Sequence, residues 1–207
     1  MSLRNKQIKF ALLLSIITVF YNIIEGALCI FFGLEHETLV LFGFGLDSFV
    51  EVISGVGIWH MVLRIMKNEN ENKDNFERTA LKVTAAAFYL LAIGLFFTAI
   101  INLINDSKPE TTYLGVIVSC VSISIMWWLI YNKKKIGEEL NSDAIIADAK
   151  CSLVCIQLSF ILLISSLIYE LYSINSIDAI GSLLIAYFAY KEGVEAFKKS
   201  KSDYNCC

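Results

Sequence analysis

The sequence predicts an all-α membrane protein of six transmembrane helices with both termini in the cytoplasm. Three observations lead there: composition, six long apolar runs, and a lopsided distribution of basic residues. The 207-residue chain is 57% hydrophobic with a mean hydropathy of +0.63. Soluble domains run nearer ~45–50% apolar. The runs cover residues 8–33, 38–66, 80–105, 112–131, 143–172 and 177–197, each long enough for a hydrocarbon core about 30 Å thick. The basic residues fall on alternate ends of those runs, which orients them.

The first run begins among Arg4, Lys6 and Lys9. It is too long for a cleaved signal peptide, it carries Glu25, and no small-residue cleavage site follows. A short LEHET loop leads to the second run, which carries Asp47 and Glu51. The polar segment KNENENKDNFER, from Lys67 to Arg78, reads as a cytoplasmic loop before the third run. Pro109, the only proline, lies between runs three and four, so helices elsewhere are uninterrupted. Lys133, Lys134 and Lys135 read as the cytoplasmic connection to run five, and Lys198, Lys199 and Lys201 follow run six. The opposite loops hold only Lys108. Trp59, Trp127 and Trp128 fall near cytoplasmic ends, as interfacial aromatics do.

The expected organisation is a single transmembrane domain over residues 1–207 with no soluble domain and no internal repeat. A formal net charge of -3 argues for no nucleic-acid partner. Cys29, Cys120, Cys151 and Cys155 fall inside runs and form no disulfide framework. Cys206 and Cys207 end the tail as inert thiols, a soft-metal handle or a palmitoylation site.

The acids inside the runs carry the functional argument. Asp47 and Glu51 are four residues apart, so they share one helix face with Cβ atoms roughly 5–6 Å apart. An acid at the bilayer centre costs on the order of 3 kcal/mol, so two on one stripe call for a metal ion, a proton or a basic partner. Glu25 and Asp47 both fall about 12–14 Å from the outer face, near the midplane. Asn22, one turn before Glu25, could orient a carboxylate or a water. On the fifth run Asp148, Cys151, Ser152 and Cys155 form one stripe, while Lys150 points elsewhere. Asp47, Glu51 and Asp148 are the expected metal ligands; Glu25, Cys151, Ser152, Asn22 and Cys155 are further candidates.

Other readings stand beside these. Asp178 fits equally a first-turn acid stabilised by its helix dipole, and Asp143 a cap. Glu25 could be a protonated packing group, and the two thiols small hydrophobes. His36 and His60 are loop and interface residues that need no site. Carboxylates crowded in low dielectric cannot all stay charged. An arriving divalent cation would expel the bound proton, since both use the same oxygens. Release from alternate sides of the membrane would make the protein an antiporter.

The pattern resembles the cation diffusion facilitator family. Asp47-Ser-Phe-Val-Glu51 resembles that family's acidic pair on its second span, with Glu replacing the second Asp. SDAIIADAKCSL resembles the fifth-span His/Asp motif, with Asp148 on its terminal Asp and Ala144 where the histidine would be. Ile177-Asp178-Ala179 followed by GSLLIA resembles the start of the sixth span. The likeness covers nearly the whole chain and is nearest to a short branch lacking the C-terminal cytoplasmic domain. It implies a proton-coupled exporter of divalent metal in the plasma membrane, a homodimer joined through its spans, and no enzymatic activity. Zinc is the first expected cargo by resemblance. Manganese is the alternative, because an all-oxygen site suits Mn, Mg or Ca, whereas a thiol from Cys151 favours Zn.

Competing functions are a structural or regulatory subunit whose acids meet a partner's basic residues, and a proton-coupled organic-cation carrier. An intramembrane aspartyl protease is suggested by GFGLD, but the spacing is one residue too long, its Tyr-Asp partner is missing, and it gives Glu51 no role.

Overall fold

A computed structural model describes residues 3–67, 75–105, 113–140, 143–172, 174 and 176–201. Within helices, some side chains lie outside the described set, among them those of Asp143, Ala144, Asp148, Lys150 and Cys151. Among the described residues there are six α-helices: α1 Leu3–Glu35, α2 Leu39–Met66, α3 Asn75–Asn105, α4 Tyr113–Leu140, α5 Asp143–Tyr172 and α6 Ser176–Lys201. Residues 68–74 of the expected loop, Lys108, Pro109 and the terminal cysteines fall outside the described residues; Asn75–Arg78 form the first turn of α3.

Among the described residues five helices are long and apolar enough to cross a membrane: α1, α2, α3, α4 and the Ser152–Tyr172 part of α5. The sixth carries Asp178 near its start and Lys191, Glu192 and Glu195 in its second half, which lowers its apolar content. α1 has 33 residues, about 50 Å at 1.5 Å per residue, more than a bilayer core requires.

α1 packs along α2, α4 along α5 and α3 along α6, while further contacts of α1 with α4 and of α2 with α5 close the first four into a bundle. α3 and α6 flank it through α2 and α5. The α1–α2 seam is built on small residues, as close helix pairs in lipid are. A Cβ on Gly45 would stand 2.8 Å from Cys29 Cβ, and one on Gly33 would stand 2.6 Å from Phe42 N. The connecting turn uses Glu37 in the left-handed region at φ 54°. There Thr38 N donates to Gly33 O at 2.9 Å, which satisfies a carbonyl at the end of α1.

Two sequence expectations change. Asp178 does sit in the first turn of α6, but its carboxylate serves a different helix. Leu39 N donates to Oδ2 at 2.8 Å and Val40 N to Oδ1 at 3.2 Å. It thus satisfies amides that the start of α2 leaves unpaired. Lys133 does not lie in a loop: α4 runs on to Leu140, and Lys133 is 1% exposed within the bundle. Its butyl stem can lie against apolar neighbours while the ammonium finds polar atoms, and charge alone does not reveal which lysine of a run faces inward.

The apolar core is split. One cluster, including Phe44, Val50, Leu95, Leu158 and Ile185, fills the half nearer the α1–α2 turn. A second, of Leu14, Met126, Leu129, Cys155 and Ile156, and a third, of Ile8, Ala11, Val62, Ile136 and Ile145, fill the half toward the chain termini. Polar side chains gather where the two halves meet.

Candidate metal centre

α1 brings Tyr21, Asn22 and Glu25 to this level, α2 brings Asp47, Ser48 and Glu51, and α5 brings Ser152, Cys155 and Ser159. The glycine seam holds α1 close enough to α2 for side chains one turn apart to bond across it. Asn22 Nδ2 donates to Glu51 Oε2 at 3.0 Å. The Cys155 thiol donates to the same oxygen. Glu51 is therefore gripped from α1 and α5 together, at one oxygen.

Glu25 is more fully satisfied. Tyr21 Oη donates to Oε1 at 2.6 Å, and Ser48 Oγ donates to Oε2 at 3.2 Å. The Ser48 hydrogen is shared with Phe44 O at 3.1 Å. Nearby, Ser159 Oγ lies 3.0 Å from Ser122 Oγ and 2.7 Å from Cys155 O, tying α5 to α4.

Asp47 is the opposite case. It is 2% exposed, and among the described residues its Oδ1 has no hydrogen-bond partner. The Asn22 Oδ1 is likewise buried and unmatched. Such orphans are uncommon in folded proteins and mark a missing proton, water or ion. Glu51 stands one turn from Asp47 on the same face of α2, and Glu25 accepts from Ser48, the residue next to Asp47. Carboxylates gathered in an apolar surround favour a cation.

The expected ligands are distributed as follows. Asp47 and Glu51 share one face of α2, and Cys155 meets Glu51 from α5. Cys151 is one turn from Cys155 and Asp148 two turns, both toward the start of α5; the side chains of both are outside the described set. On helical rise alone the Asp148 Cα stands about 10 Å along the axis from that of Cys155. Ser152 lies between them, where its hydroxyl accepts from Lys133 Nζ at 3.1 Å. Among the described residues no three His, Cys, Asp or Glu side chains converge as a preformed metal centre.

Sequence reasoning missed Tyr21, Ser48 and Lys133. Tyr21 precedes Glu25 by four residues and Ser48 follows Asp47 directly, so the i,i+4 rule and the acid stripe could have found the first.

Comparison with known proteins agrees with this architecture. Residues 11–203 match the family described as the cation efflux transmembrane domain. The chain is also 26% identical over 203 residues to the manganese efflux system protein MneP of Bacillus subtilis (strain 168), covering 90% of this chain and 66% of that protein. It therefore spans slightly less than two thirds of that relative's length.

Proposed function

The chain belongs to the cation efflux family, and from that membership we propose that it exports a divalent transition-metal ion in exchange for protons. Its matched domain and apolar helices make it an integral, multi-pass membrane protein, and transport rather than enzymatic turnover is its business. In the proposed topology α6 is the sixth span, both termini face the cytoplasm, and the membrane is the plasma membrane. The bias of basic residues supports that orientation. The whole chain acts as one transmembrane domain, paired with a second copy through its helices; a native mass of two chains in mild detergent is the expected result.

The observation that carries the reading is the orphaned Asp47 oxygen, buried one turn from Glu51. We assign Asp47 and Glu51 as ligands, with Cys155 the group from α5 that, among the described residues, bonds to Glu51. Asp148 and Cys151 continue the stripe toward the cytoplasmic mouth and would receive the ion on its way in. Asn22 offers a free carbonyl oxygen to the ion while its amide holds Glu51. Ser152 marks the cytoplasmic edge of the site. Glu25, bonded by two hydroxyls, is suited to carry the counter-moving proton.

Ligand chemistry favours zinc, since a thiolate beside two carboxylates binds Zn more strongly than Mn. Manganese is the second reading, supported by the manganese efflux protein among the relatives. Equilibrium binding of Zn2+ and Mn2+ to the purified protein tests the site. Binding lost in Asp47→Asn and Glu51→Gln is expected; binding unchanged in both would place the ion elsewhere.

A further inference from the structure

Lys133 is the one cation among the described residues that is both buried in the bundle and bonded beside the acidic site. It projects from α4 and is 1% exposed. Its ammonium donates to Ser152 Oγ at 3.1 Å. Ser152 is three residues before Cys155 on α5, about 4.5 Å along the axis, and the Cys155 thiol bonds to Glu51. Through these contacts Lys133 is tied to α5 about one turn from Cys155, on the side facing the chain termini.

A buried ammonium needs a compensating anion, and the carboxylates that would bind a metal need a cation while the metal is absent. The two requirements meet here. A flexible four-carbon stem with three donors can also swing away without disturbing the backbone. We propose that Lys133 is a tethered cation that seats beside the carboxylate–thiol site when no cargo is bound and is displaced by the incoming metal ion.

The consequence is specific. A charge of +1 held near a site for a +2 ion opposes binding, so the lysine lowers affinity and eases release. It also keeps the empty site from remaining strongly negative during the return half of the cycle. A residue that merely packed α4 against α5 would have the opposite effect, since its loss would loosen the site and weaken binding.

This inference rests on the ligand assignment proposed above, and the experiment separates the two. The full chain, as wild type, Lys133→Gln, Lys133→Met and Lys133→Arg, is titrated with Zn2+ and with Mn2+, each alone. The Asp47→Asn variant defines the component of binding that belongs to the site. Removal of the charge is expected to tighten that component by roughly tenfold in both neutral variants, while Arg leaves it near wild type. In parallel, wild-type protein is treated with an amine-acylating reagent, and modification of Lys133 is read by mass spectrometry with and without metal. Labelling that rises several-fold with metal is expected, and this readout stands even if a neutral variant fails to fold. Unchanged or weakened binding in the neutral variants, or labelling indifferent to metal, overturns the role of Lys133 while leaving the ligand assignment intact. No Asp47-dependent binding in wild type overturns both.

Discussion

Asn22 on α1 donates its amide to Glu51 on α2 across 3.0 Å, and this bond joins the first two helices at the level of the acidic site. It leaves the Asn22 carbonyl oxygen buried and unmatched among the described residues. One side chain thus fixes a proposed ligand and offers an acceptor of its own. Groups that orient a ligand typically matter 10–100-fold for metal affinity. Asn22→Ala is therefore expected to weaken metal binding about tenfold or more, read by titration calorimetry, with helical content by circular dichroism unchanged. Asn22→Asp adds a negative charge that would repel Glu51, so it tests the same bond less cleanly.

Cys155 decides between the two candidate ions. Replacing it with Ser keeps a donor to Glu51 but removes the soft sulfur. Zn2+ affinity is expected to fall at least about tenfold in Cys155→Ser, with Mn2+ affinity changed little. Equal losses for both ions would mean that the residue holds Glu51 in place and does not touch the metal.

Acid should weaken binding. Carboxylates and a thiol must give up their protons before they ligate, so a metal that binds expels them. The sign follows: lowering pH favours the protonated, empty site. Apparent affinity is expected to fall by about tenfold per pH unit for each proton displaced, and metal binding should acidify a weakly buffered solution. Affinity that is flat between pH 8 and pH 6 would contradict competition between proton and metal.

Asp178 should behave as a structural residue. Its two oxygens hold the amides of Leu39 and Val40 at the start of α2, and it is buried. Asp178→Ala is expected to cost about 1–3 kcal/mol of stability, seen as a lower thermal midpoint in detergent. Metal affinity of the folded protein should stay within about twofold of wild type, since the bonds it loses are local to the turn end. A large selective loss of binding would instead make Asp178 part of the ion path.

Much of this molecule was legible in the chain itself. The helices follow from uninterrupted apolar runs, and the Asp47–Glu51 face follows from helical period alone. Pairings across helices were not legible. Which of Lys133, Lys134 and Lys135 turns inward depends on the rotation of α4 against α5, and a run of identical residues carries no such signal. The bond from Cys155 to Glu51 joins positions far apart in sequence, so spacing along one helix could place the thiol on the Asp148 stripe but could not say which member of that stripe meets α2. Asp178 was visible as a first-turn acid, and its true partner, the start of α2, was hidden for the same reason.

The most direct test of the central claim is metal-driven proton movement in proteoliposomes loaded with a pH dye, comparing wild type with Asp47→Asn across Zn, Mn, Cd and Mg. A proton flux coupled to Zn2+ or Mn2+ in wild type and lost in Asp47→Asn is the predicted result. Equal metal-driven flux in the folded variant, or none for any ion in folded wild type, would contradict a proton-coupled exporter built on that carboxylate.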